Sequence, residues 1–149
     1  MISKKQFEPD AISGWIGIQS ANLPIKSRIL SISDDETLGE TRQLLLESAG
    51  YLVVTVGSHL PLGVTFVRAF DAAILCRSLH SDCAVRLSER LHRYHPQIRV
   101  LRIRRMIPEL NAGYDGVCDT LTGAEHLLQS LGEILRMRPR DRSHALPTA

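Results

Sequence analysis

The sequence predicts an α/β fold: a parallel sheet of five short strands with helices on both faces. Three observations predict it. Short apolar runs rich in β-branched residues recur along the chain, as strands buried on both faces do. Segments with apolar residues at helical spacing separate those runs. Glycine, proline and acidic residues stand at the boundaries, where one element stops and the next begins.

The elements follow in order. Arg28 to Ser33, "RILSIS", reads as the first strand. Asp34 to Gly50 reads as a helix, with Leu38, Arg42, Leu45 and Ala49 at helical spacing. Asp34, Asp35 and Glu36 suit its N-terminus, where exposed N–H groups and the helix dipole favour anions. Gly50 suits its C-terminal stop. Tyr51 to Val56, "YLVVTV", is a second strand. His59 to Ala69 is a weaker segment: Pro61 suits a helix start, but Gly63, Val64 and Thr65 are poor helix formers. "FDAAILC", ending at Cys76, is the third strand. Ser81 to Pro96 is an amphipathic helix with Ala84, Leu87, Leu91 and Tyr94 on one face and Pro96 at its end. Ile98 to Ile103 is the fourth strand, and Gly116 to Leu121 a short fifth. Gly123 to Met137 closes the domain as a helix with Leu127, Leu128, Leu131, Ile134 and Leu135 in its apolar line. Five strands in this alternation fit a flavodoxin-like doubly wound sheet.

The bulk properties set limits. The chain has 149 residues, enough for one domain with a real core. Hydrophobic residues make up 44% and charged residues 23%, as in ordinary globular domains. A net charge of +2 is too small to argue for nucleic acid or membrane as a partner. The three cysteines, Cys76, Cys83 and Cys118, are too few for a secreted framework, so reduced thiols are expected. The N-terminus shows no signal segment, and no apolar run is long enough to span a bilayer. A cytoplasmic location is expected. Residues 1–27 read as an N-terminal extension, partly disordered, with an isolated apolar patch at Trp15 to Ile18 whose tryptophan could dock on the domain. Residues 28–137 form the domain. Residues 138–149 read as a disordered basic tail; with Arg136, Arg138, Arg140 and Arg142 it is solvated, or alternatively seeks phosphate.

The stretch "ILSISDDETLGETRQLLLESAGYLVV" resembles the opening of a bacterial response-regulator receiver domain. That family reads apolar residues, then Asp-Asp-Glu, a helix, Ala-Gly-Tyr and a second strand. "FDAAILC" is similar to its third strand, "IRVLRI" to its fourth and "GAEHLLQSLGEIL" to its last helix. The resemblance extends from Arg28 to Met137. It implies five positions for chemistry: two acids that hold magnesium, an aspartate that accepts a phosphoryl group, a Ser or Thr, and a Lys. A carboxylate attacks phosphorus only when a metal and a fixed cation neutralise the transferring oxygens.

Carried over, the first acid falls on Ser33, the second on Asp34, the phosphoacceptor on Cys76, the hydroxyl on Arg104 and the lysine on Thr120. Only Asp34 keeps the family's residue type. The resemblance therefore implies a degenerate, pseudo-receiver form, with Arg77 and Arg104 expected to fill the pocket with positive charge. It implies a protein partner (a kinase, a regulator or a second copy), no enzymatic activity and no cofactor. Leu127, Leu131, Ile134 and Leu135 are core residues first and interface candidates second, since the last helix of receivers carries dimer contacts.

Other readings stand beside this one. Asp34 is expected to N-cap its helix, with weak divalent-cation binding as the alternative. Cys76, His80, Asp82 and Cys83 lie close in sequence and could make a thiol- or metal-dependent site, though their spacing matches no strong zinc pattern. His92 and His95 are expected to be solvated, supporting a helix C-terminus. Asp71 or Asp82 could in principle accept a phosphoryl group, but Asp71 precedes the third strand and Asp82 lies past it.

Overall fold

A computed structural model of the chain describes residues 26–104, 113–119 and 123–137. The elements run β1 (Arg28–Ile32), α1 (Glu36–Ser48), β2 (Leu52–Val56), α2 (Val64–Val67), β3 (Ala72–Leu75), α3 (Ser81–Tyr94), β4 (Arg99–Arg104), β5 (Gly116–Asp119) and α4 (Gly123–Arg136). All five strands are parallel, in the order β2-β1-β3-β4-β5. This is the flavodoxin-like doubly wound sheet that the alternation of patterns predicts. The N-terminal extension up to residue 25, Thr120 and the tail from residue 138 lie outside the described residues.

The strands alternate their side chains between two cores, as the period of two requires. Leu30, Ile32, Leu75 and Val100 join Leu87 and Leu91 of α3 under one face. Ile29, Ile74 and Leu101 join Leu46 of α1 and Leu127, Leu131 and Ile134 of α4 under the other. Leu127, Leu131 and Ile134 are buried and Leu135 packs against the same core. The first three therefore serve as core residues of this domain, as expected first of them.

Three helical details differ from the sequence pattern. The buried residues of α1 are Gly39 and Leu46, one position on from Leu38 and Leu45 in the expected line of Leu38, Arg42, Leu45 and Ala49, and Leu45 is partly buried against the same core. The reason is close approach: a Cβ at position 39 would sit 3.1 Å from Thr55 Cγ2 and 3.4 Å from Ser33 Cβ. The bare glycine lets α1 lie flat on β1 and β2. The N-cap of α1 is Asp35, whose side chain accepts the Leu38 N–H at 3.0 Å, and not Asp34. The weak segment before β3 condenses to the single turn of α2, as its glycine and β-branched residues allow.

Of the two histidines at the end of α3, His92 is largely buried and His95 only partly. His92 Nε2 lies 3.1 Å from Asp115 Oδ2, and the two side chains are only 10% and 3% exposed. The same Asp115 oxygen accepts the Val100 N–H at 2.8 Å, so one carboxylate ties α3 to the start of β5 and to β4. His95 caps α3 through its backbone N–H. Burial pushes its imidazole below the ordinary value, and Arg68 and Arg99 act the same way against a backbone hydrogen bond at Phe70 and the charge of Asp71.

This has a consequence for stability. The unfolded chain takes up the His95 proton near the ordinary value of about 6.5, and the folded chain resists it until lower pH. The His95 contribution is therefore complete above that value and is lost as pH falls through the folded one. Urea midpoints measured from pH 7.5 down to pH 5 should fall, with a shallower fall in His95→Gln. Equal slopes in the two proteins would refute the assignment.

Candidate functional site

The sheet order reverses between β1 and β3, and the loops after those two strands open at its C-terminal edge. Ligands of doubly wound sheets bind in that crevice. Ser33 and Asp34 follow β1, and Cys76, Arg77 and Ser78 follow β3. The expected positions do meet here, except for Thr120, which lies outside the described residues, and Arg104.

Cys76 is fully buried. Its backbone N–H donates to Ile32 O at 3.0 Å, which continues the β1–β3 ladder one residue past the strand. Its thiol lies 3.7 Å from Ser31 Oγ. Arg42 of α1 donates from Nη1 to Cys76 Sγ at 3.0 Å. The cation at this position thus comes from α1. Arg104 stands elsewhere: its Nε donates to Asp119 Oδ1 at 2.8 Å across the ends of β4 and β5. Arg77 is exposed and lines a cleft of about 390 Å³ between α1 and α4, along with Leu38, Arg42, Ile103 and Cys118.

The acids are also engaged. The Asp34 carboxylate accepts the Ser58 N–H at 2.9 Å through Oδ1 and the Ser58 hydroxyl at 2.8 Å through Oδ2. It holds the loop after β2. The Asp34 N–H donates to Ser78 Oγ at 2.9 Å. Ser33 Oγ donates to Asp35 O at 2.9 Å and lies 3.3 Å from Ser78 Oγ. A serine, a thiol contacted by a guanidinium, and a carboxylate already holding two donors do not make an oxygen-rich magnesium site. The residues do not fit the ion.

The sequence reading did not single out Arg102. This arginine sits inside β4 and is 1% exposed. Its Nη1 donates to Cys76 O at 2.8 Å and its Nη2 to Leu79 O at 3.0 Å. One planar fork thereby fixes both ends of the β3–α3 loop. The signal was present, since an arginine between Leu101 and Ile103 breaks an otherwise apolar strand. Arg42 had a similar signal, as a charge in the inward line of α1.

The thiol and metal alternative loses its geometry. His80 is the N-cap of α3, its Nδ1 accepting from Asp82 N–H at 3.4 Å. Cys83 packs against the core under α3, whereas Cys76 belongs to the core under α1 and α4. Among the described residues no group of three His, Cys, Asp or Glu side chains is placed to hold a metal ion. Asp71 sits at the opposite edge of the sheet, where its Oδ2 accepts the Arg28 N–H at 2.8 Å, and Asp82 lies in the first turn of α3.

Response-regulator receivers are among the solved structures that this chain resembles in fold. A CheY-like receiver domain protein from Methanospirillum hungatei superposes with a TM-score of 0.59 at 20% identity, over 74% of this chain and 94% of that one. The non-phosphorylated HemR receiver domain from Leptospira biflexa gives 0.60 at 22%, over 77% and 99%. A two-component response regulator from Clostridium difficile gives 0.62 at 20%, over 74% and 97%. The chain has the receiver fold. No family model and no curated protein matches the sequence. Within this receiver fold, no helix among the described residues is long and apolar enough to cross a membrane.

Arg102 gives the site its testable feature. Arg102→Met leaves two loop carbonyls without their donors, at a cost of about 1–3 kcal/mol. Amide exchange should also quicken at Ser78 and Leu79. Unchanged stability together with unchanged exchange would rule out the clamp.

Proposed function

We propose that this chain is a degenerate receiver, an interaction module of two-component signalling that works without phosphoryl transfer. The observation that carries the reading is position 76. The resemblance puts the phosphoacceptor there, and the residue is a fully buried thiol in contact with the Arg42 guanidinium. Phosphoryl transfer needs an accessible nucleophile in line with phosphorus and a metal beside it. Cys76 is not accessible, Ser33 is hydrogen-bonded to Asp35 and Ser78, and the Asp34 carboxylate already holds Ser58. The module would act in the cytoplasm by binding a protein: a kinase, a regulator or a second copy. It would have no enzymatic activity of its own.

The direct test is incubation with acetyl phosphate or a phosphoramidate and Mg²⁺, followed by intact-mass measurement. The mass should not change. A gain of one phosphoryl group that EDTA abolishes would overturn the proposal.

A substitution separates a missing residue from a dismantled site. In Cys76→Asp the new carboxylate meets Arg42 and forms an ion pair in place of a metal site. Calorimetry with millimolar Mg²⁺ should register no binding, and acetyl phosphate should leave the mass unchanged. Phosphorylation of this single variant would mean that only the acceptor had been lost and that the surroundings still support the chemistry.

A further inference from the structure

β2 is an edge strand of the sheet, and its two faces are covered unequally. On one face Val53 packs with Ile29 and with Leu46 of α1. On the other, only the C-terminal end is covered: Val56 packs against the core that contains Leu62 and Val67. Leu52 and Val54 share that face by strand alternation, yet they are 49% and 42% exposed. The reason is the brevity of α2. A single turn, Val64–Val67, packs against α3 and stops short of the first half of β2, with its own Val64 and Phe66 exposed. Exposed apolar side chains grouped on an edge strand invite a partner.

The chain's own N-terminal segment enters the domain at this bare end. Ser27 O accepts the Leu52 N–H at 3.0 Å, and Arg28 pairs with Leu52. The chain therefore joins the sheet beside Leu52. The residues before Ser27 contain one compact apolar run, Trp15 to Ile18. At about 3.3 Å per extended residue, the spacer between Ile18 and Ser27 reaches on the order of 30 Å. The five residues of β2 span about 17 Å. The run can thus reach any point on the bare face without displacing an element.

We propose that Trp15–Ile18 docks on Leu52 and Val54, beside Phe66, and supplies the cover that α2 leaves out. The proposal does not depend on the fate of phosphoryl transfer at position 76. Trp15 is the only tryptophan, so its fluorescence reports the contact directly in the full chain. The native protein should emit to the blue of the same chain in urea, with a several-fold smaller acrylamide quenching constant. Both differences should vanish in Val54→Asp and in Leu52→Asp, with far-UV circular dichroism unchanged. Phe66→Ser serves as a third variant should either aspartate unfold the domain. The native protection should also be independent of protein concentration. Native emission and quenching equal to those in urea would overturn the proposal, as would protection that survives the substitutions. Protection that grows with concentration would assign the face to a second copy and equally overturn it.

Discussion

The C-terminal edge of this sheet depends on one buried guanidinium. Burying a cation costs several kcal/mol unless strong hydrogen bonds replace its water. Arg102 meets that condition by donating to the carbonyls of Cys76 and Leu79. The β3–α3 loop that they bracket is therefore set by the neighbouring strand, β4. Ser78, inside the loop, then accepts the Asp34 N–H. Asp34 in turn holds Ser58 of the loop after β2. Three loops from three strands are thus linked in series, and the first link is the arginine.

Such an arrangement has implications for signalling. A ligand shifts a conformational equilibrium only by its difference in affinity for the two states. An acidic, open edge would offer a large difference to a metal ion or a phosphoryl group. Here the Asp34 and Asp35 carboxylates already accept hydrogen bonds from the chain, and two cations face inward, Arg42 on the thiol and Arg102 on the loop, while Arg77 stays exposed. Each replaces by a fixed hydrogen bond what a switch would leave available. Under the proposed reading, a scaffold built this way would present one surface constantly. That suits recognition by a protein, where preorganisation lowers the ordering cost of binding.

The fold was legible because its signals are local. Apolar runs marked all five strands to within two residues at each end, and the amphipathic pattern of Ala84, Leu87 and Leu91 marked α3. The inward side of α1 was harder. Its sequence line through Leu38 and Leu45 counts apolar residues, but contact went to Gly39, because a missing side chain allows the closest approach. Hydrophobic periodicity cannot register an absence of atoms. The site was legible in its positions and illegible in its partners. Cys76, Ser33 and Asp34 were placed at one edge by the resemblance alone. That Arg42 and not Arg104 would reach the thiol depends on which face of the sheet each side chain leaves, which spacing along one element does not encode. His92 and Asp115 make the same point, since their contact joins segments 23 residues apart.

The unequal cover of β2 follows from the same physics as the rest. Helices in a doubly wound sheet exist to bury the strands beneath them. In this chain α1, α3 and α4 run for 13, 14 and 14 residues, and α2 for 4. Gly63 and the β-branched residues after it remove helix-forming capacity where it is needed. The shortfall appears at the half of β2 farthest from α2's single turn, and the sheet there keeps Leu52 and Val54 as though a cover were present. An edge strand meant for solvent carries lysine, proline or a bulge instead. Leu52 and Val54 carry none of these devices, and because the strand lies beside Ser27, the docking proposed for Trp15–Ile18 would give them their cover from the same chain.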